Sequence, residues 1–310
     1  MRIIESFHDV QPSDQQSVIA IGNFDGVHRG HKALMNEAQQ IAAEYNTSMS
    51  VLTFEPHPRQ LFQPDQPPAR LTPVNVKAKL LKDQGVDRLI SLPFTWDFAS
   101  QSAQDFVQKI LIGQLNAAHI VIGDDFCFGQ LRQGNAQTIK DHGLPVTIVP
   151  PVLDSHDKVI SSSRIRQLIR IGDIKTANEL LGYDWTIEGK IFRGDRRGHD
   201  LGYPTANILL EDTIHPAYGV YACLVKIEGE DQWRMAATNI GIRPMFEVTQ
   251  GQVEAHILDF PDIDIYNQTL TVKPIKRLRG EAKFNSIDEL IEQMARDCIV
   301  TRELFNSSGA

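Results

Sequence analysis

The chain has 310 residues, 42% of them hydrophobic and 23% charged, with a formal net charge of −8. That length suits two ordinary domains, each with its own core, and the composition is that of a soluble globular protein. The acidic balance argues against nucleic acid as a partner, because affinity for polyanions comes from clustered Lys and Arg, so any phosphate bound here should belong to a small molecule.

"MRIIESFHDVQPSD" lacks the apolar core of a signal peptide, and no stretch approaches the roughly 18 apolar residues of a membrane span, which reads as cytosolic. Strands are expected at 18–21, 49–54, 88–92, 119–122 and 145–149, alternating with helical periodicity at 30–45, 75–84, 102–112 and 133–142. This alternation predicts an α/β domain, Rossmann-like, with a parallel sheet covered on both faces. "QPDQPPARLTP" (63–73) reads as a surface loop. Two more helices follow at 162–171 and 174–181, and then the rhythm changes. Short strands at 185–192, 218–229, 233–241, 252–260 and 270–280, separated by Gly and Pro turns, predict a small antiparallel β-barrel. A closing helix at about 286–304 is opened by Ser286 with Glu289 three residues on, a capping box. The domain limit is expected at 182/183, giving 1–182 and 183–310. Cys127, Cys223 and Cys298 form no CxxC pair and read as small buried hydrophobes.

Between the first strand and the first long helix lies "GNFDGVHRGH" (22–31). A Gly-rich turn into a helix presents backbone N–H groups and the positive end of the helix dipole, which suits a phosphate. Gly22, Gly26 and Gly30 allow a tight turn and close backbone approach. His28 and His31, three apart, share one face near the helix start and can stabilise charge building on a phosphate during displacement. Taken alone, the pair also fits exposed surface histidines or an HxxH metal pair, although no third ligand is evident. In "ISSSRIRQLI" (160–169), Ser161, Ser162 and Ser163 can cap a helix and donate hydroxyls to phosphate, while Arg164 and Arg166 offer planar donors.

In "RGDRRGHDLGYPTANI" (193–208), Thr205 and Asn207 lie on one face if extended, and present hard oxygen ligands suited to Mg²⁺. In "VEAHILDF" (253–260), Val253, Ala255 and Ile257 face one way and Glu254 the other, alongside His256. A Glu held by a barrel strand can take the proton from an attacking hydroxyl, although a solvated strand face is the ordinary place for one.

"GNFDGVHRGH" resembles the GxFDGxHxGH signature of the nucleotidyltransferase superfamily, and "ISSSRIRQLI" is similar to its SSTxIR motif, with Ser163 where Thr is usual. The Gly-rich loop with PTAN, "YGVYA" (218–222), "TNIGIRP" (238–244), "VEAHILDF" and "RLRGEAKF" (277–284) resemble the riboflavin kinase domain. In the first half "TFEPHP" (53–58) and "VIGDDFCFG" (121–129) are also family-like. Together these make the chain similar to the bacterial bifunctional riboflavin kinase/FAD synthetases. His199 after Gly198, and Met245 in "NIGIRPMF", depart from the family pattern.

The resemblance implies two ATP-dependent steps on flavin substrates: riboflavin to FMN in the barrel, then FMN to FAD with release of pyrophosphate in the first domain. It implies catalytic roles for Glu254, His28 and His31. ATP of the adenylylation step would meet Gly22, Asn23, Phe24, Gly26, His28, His31, Ser162, Ser163 and Arg166. ATP of the kinase step would meet Gly194, Gly198, Gly202, Pro204, Thr205 and Asn207, with Mg²⁺ on the last two. Phe54, Pro56, Phe62, Asp124, Phe128 and Arg279 are flavin candidates. Other enzymes that transfer nucleotide to pantetheine or glycerol phosphate would share only the first half. A non-catalytic flavin binder would not need His28, His31 and Glu254, and a tRNA-charging fragment is disfavoured by the acidic charge. The partners expected are small molecules, with no membrane and an oligomeric state the sequence leaves open.

Overall fold

The computed structural model describes residues 1–64, 66, 69–194, 201–245, 248–261 and 263–307, without the side chains of 243–250. Gly198 and His199, and the side chain of Met245, lie outside the described residues.

The chain divides into two compact units, Met1–Pro67 with Val74–Ser162, and Pro68–Pro73 with Ser163–Ala310. The first is built on a six-stranded, wholly parallel sheet of β1 (Arg2–Ile4), β2 (Val18–Ile21), β3 (Met49–Glu55), β4 (Arg88–Pro93), β5 (His119–Gly123) and β6 (Val146–Val149). The strand order is β1-β4-β3-β2-β5-β6. The apolar runs in its central strands are buried on both faces, as a doubly covered parallel sheet requires. Ile19, Ile21, Leu52, Ile90, Leu92, Ile120 and Ile122 pack on one side, against Phe106, Val107, Ile110 and Leu111. Val18, Ala20, Val51, Leu89 and Val121 pack on the other, against Leu34, Met35, Ala38 and Ile41 of α1 (Arg29–Glu44). Each fully buried Ile or Leu contributes roughly 1.5–3 kcal/mol. Helices α2 (Pro58–Phe62), α3 (Val74–Asp83), α4 (Trp96–Ala99), α5 (Ala103–Asp105) and α6 (Ala136–Asp141) complete the unit. The helix expected at 102–112 starts as α5 and continues as a π-helix over Phe106–Gln114. The edge strand β1, three residues long, is too short to show a period in the sequence.

The chain runs from β2 outward to β3 and β4, then crosses to β5 on the other side of β2. In open α/β sheets such a reversal leaves a crevice at the carboxyl ends of the two diverging strands, where ligands bind. Here those ends are Ile21 and Gly123, so the crevice is flanked by Gly22–His31 and by Asp124–Phe128.

The second unit carries α7 (Ser162–Ile171, of which Ser162 clusters with the first unit), α8 (Ile174–Leu181) and an antiparallel sheet. Its strands are β7 (Ile187–Lys190), β8 (Ala206–Leu209), β9 (Gly219–Ile227), β10 (Arg234–Met245), β11 (Val248–Ile257) and β12 (Thr269–Arg279). They run in the order β7-β12-β9-β10-β11-β8. A bridge between Phe192 and Asn207 brings the two ends together, making a nearly closed barrel. The C-terminal helix spans Ile287–Ser307. Glu289 N–H donates to Ser286 Oγ at 3.2 Å, while the Glu289 carboxylate accepts from Asn285 N–H, one residue before the position a capping box uses.

Residues 163–182 group with the barrel in the second unit: Arg166 Nε donates to the Ala69 carbonyl and the buried Trp185 Nε1 to the Leu71 carbonyl. Two readings of the sequence are corrected. The expected surface loop buries Arg70, Leu71 and Thr72. Cys127 is exposed, whereas Cys223 and Cys298 are buried. Burial pushes the Cys223 thiol up to about 12.

Candidate active sites

In the first unit, the loop after β2 is held by the sheet. Gly22 N–H donates to Leu52 O at 3.1 Å, and Thr53 Oγ1 donates to Asn23 O at 3.1 Å. The turn then uses the left-handed region at Phe24 (φ 49°), Gly26 (φ 85°) and Val27 (φ 35°). Only glycine takes that conformation without steric cost, which accounts for Gly26. His28 follows as the N-cap of α1, its Nδ1 accepting the His31 backbone N–H at 3.3 Å. An acceptor Nδ1 places the proton of neutral His28 on Nε2. The two imidazoles stack, with centroids 3.7 Å apart and planes 16° apart, and Phe24 packs against His31 at 5.2 Å. A Cβ on Gly30 would lie 3.1 Å from the His28 ring. Ser162 Oγ donates to Asp25 O at 2.8 Å, tying the serine-rich motif to the glycine loop. Ser163 is exposed and Arg166 buried, both in the second unit.

In the barrel, five residues stand in register across five strands: Arg279 of β12, Val220 of β9, Asn239 of β10, Glu254 of β11 and Asn207 of β8. All five line one cavity of about 670 Å³, together with Thr205. Val253, Ala255 and Ile257 are buried in the opposite direction, as the strand period requires. Gln252 Nε2 donates to Asn207 Oδ1 at 3.0 Å, and Asn207 Nδ2 to the Thr205 carbonyl at 3.2 Å. His256 Nδ1 bonds the Pro204 carbonyl at 2.9 Å, pinning the PTAN segment to β11. Gly194 lies against the Asn207 side chain, and Gly202 turns the loop with φ 83°. At the far end, Arg279 forks onto Asp297 of the C-terminal helix with distances of 2.8–3.1 Å. Phe284, Leu290 and Met294 give that end an apolar wall.

A FAD synthetase family model matches residues 10–164, and a riboflavin kinase family model matches residues 181–305. The chain belongs to the bifunctional riboflavin kinase/FMN adenylyltransferase family. It is 36% identical to that enzyme of Escherichia coli K12 over 98% of both chains, and 36% identical to that of Bacillus subtilis over 96% and 95%. A solved Streptococcus pneumoniae structure, described as a macrolide-efflux protein, matches with a TM-score of 0.85 and 36% identity over 97% of this chain and 98% of its own. Among the described residues here, no helix is long and apolar enough to cross a membrane.

The flavin candidates of the first unit divide by exposure. Phe54 and Phe128 are each 8% exposed and belong to the core, so at most an edge of either ring is available. Pro56, Phe62 and Asp124 are exposed. Phe62 meets Trp96 edge-on at 5.6 Å and Phe94 at 5.8 Å, an aromatic ladder beyond the carboxyl ends of β3 and β4. The sequence reading missed Trp96, which sits in no motif. It also missed Gln252, whose contact with Asn207 emerges only from strand register, and Asn239, which alternates with the buried Thr238 and Ile240 within "TNIGIRP".

Proposed function

We propose that Glu254 orients and deprotonates the hydroxyl attacked in the kinase half, and that the stacked His28 and His31 stabilise the phosphates in the adenylyltransferase half. The chain phosphorylates riboflavin with ATP to give FMN and adenylylates FMN with a second ATP to give FAD and pyrophosphate. In the kinase step, the ribityl 5′-hydroxyl gives its proton to the Glu254 carboxylate as its oxygen attacks the γ-phosphorus, and ADP leaves. The loop from Gly202 to Asn207 faces the nucleotide, with the backbone at Pro204 fixed by His256.

Thr205 and Asn207 are the residues that would hold Mg²⁺. Their donor set fits a metal arriving with the nucleotide: two neutral hard oxygens, and no group of three or more His, Cys, Asp or Glu suited to metal among the described residues. When bound, the ion neutralises charge on the β- and γ-phosphates. Gln252 Nε2 donates to Asn207 Oδ1, an oxygen with two lone pairs, so the bond leaves that oxygen with capacity for a second partner.

In the adenylyltransferase step, the FMN phosphate attacks the α-phosphorus and pyrophosphate leaves. That phosphate is already anionic near neutral pH, so no general base is needed. The loop N–H groups, the start of α1 and the imidazole N–H donors supply fixed positive potential for the developing charge. Phe62, Pro56 and Asp124 are proposed at the flavin. Both steps are placed in the cytosol, with small molecules as partners.

The observation that carries the kinase assignment is the register of Glu254 opposite Asn207 in the cavity wall. Glu254→Gln is expected to lower FMN formation from riboflavin by ~10²–10⁴-fold while FMN is still converted to FAD. Unchanged riboflavin phosphorylation in this variant sinks the role.

A further inference from the structure

Within the row that crosses the barrel, Asn207 is engaged by Gln252 and Arg279 by Asp297. The Asn239 carboxamide makes no hydrogen bond to another described residue, although it lines the cavity between Glu254 and Val220. A polar side chain aimed into a cavity without a partner awaits one from a ligand or from water. Its surroundings restrict what that ligand is. Glu254 stands directly across the strand pair, where Cβ atoms are about 4.5–5.5 Å apart. Gly241, the next residue on that face, has no side chain, and the Glu281 carboxylate fills the place, with Oε1 2.6 Å from where a Cβ would be. Two carboxylates flanking an amide repel a phosphate. They suit a neutral polyol, whose hydroxyls donate to carboxylate oxygens and accept from the amide N–H.

We propose that Asn239 binds the ribityl chain of riboflavin and determines selection for that chain. This rests on the kinase reading above, and orders the substrate along the row: phosphates at Thr205 and Asn207, the attacking hydroxyl at Glu254, the remaining ribityl hydroxyls at Asn239, and the ring beyond Val220 toward Arg279. Successive positions are one strand spacing apart, about 4.8 Å. Asn239 touches the chain rather than the reacting atoms, so it acts on specificity and position rather than on the proton.

The test uses full-length protein and two flavins, riboflavin and lumiflavin, the latter carrying the ring without the polyol. Asn239→Ala is expected to raise the KM for riboflavin by about tenfold, the worth of one hydrogen bond to a well-placed partner. The inhibition constant of lumiflavin against riboflavin phosphorylation should stay within twofold, and FMN adenylylation in the same molecule should be unchanged. An unchanged riboflavin KM overturns the proposal. So does a parallel rise in the lumiflavin inhibition constant, because it would mean that the ring pocket had collapsed. If the unmodified protein forms no FMN from riboflavin, the kinase reading itself falls, which the wild-type control shows separately.

Discussion

Gln252 Nε2 donates to Asn207 Oδ1 at 3.0 Å, both side chains being only 6% exposed. The contact is diagonal across one strand pair and depends on its register, with Gln252 opposite Leu209 and Glu254 opposite Asn207. The bond holds the rotamer of a proposed Mg²⁺ ligand. Gln252→Leu should therefore raise the Mg²⁺ concentration needed for half-maximal FMN formation and lower the kinase rate, at a cost of about 1–3 kcal/mol for the unmade bond. FMN adenylylation in the same protein should not change. A kinase rate lowered equally at all Mg²⁺ concentrations would assign Gln252 a packing role instead.

Gly30 lies so close to His28 that a Cβ would sit 3.1 Å from both Cε1 and Nδ1 of the imidazole. The ring has nowhere to retreat without disturbing its stack on His31 or the cap on α1. Gly30→Ala should leave folding and riboflavin phosphorylation intact and lower FAD formation from FMN by about tenfold or more, since small misplacements of positioning groups are costly. A normal adenylylation rate would show that the stacked pair tolerates displacement, and would weaken its assignment.

Burial holds the imidazoles of His119 and His215 below their ordinary value of 6.5. The unfolded chain binds those protons at about 6.5 while the folded chain does not. Stability is therefore fully present above 6.5 and falls as pH drops through it. Glu228 is also shifted down, for a different reason: hydrogen bonds from Thr269, then Lys190, favour its carboxylate and push it down to about 2, so its contribution is lost only between 4.5 and 2. Thermal unfolding followed from about pH 7.5 to 5 should show a decline that His119→Gln and His215→Gln each flatten. Profiles parallel to wild type in both variants would locate the sensitivity elsewhere.

The parallel sheet and the barrel were both legible, because each central strand is an apolar run or a strict alternation that admits one reading. "GNFDGVHRGH" announced its turn by glycine placement, and Gly26 has the positive φ that the motif requires. What escaped the sequence has a common physical origin. Trp96 is distant in sequence from Phe62, and Gln252 is 45 residues from Asn207. Leu71 sits in a Pro-rich stretch yet is wholly buried, and Trp185, far along the chain, donates to its carbonyl.

The sequence by itself determined most of the element types, their order and the two chemistries, and it nominated the groups proposed to carry them, since periodicity, turn residues and motifs are local properties. Tertiary structure decided which of those groups meet. The row Arg279, Val220, Asn239, Glu254 and Asn207 is set by hydrogen-bond register between strands. A slip of one residue in any pairing would turn its side chain to the other face of the sheet and dissolve the site.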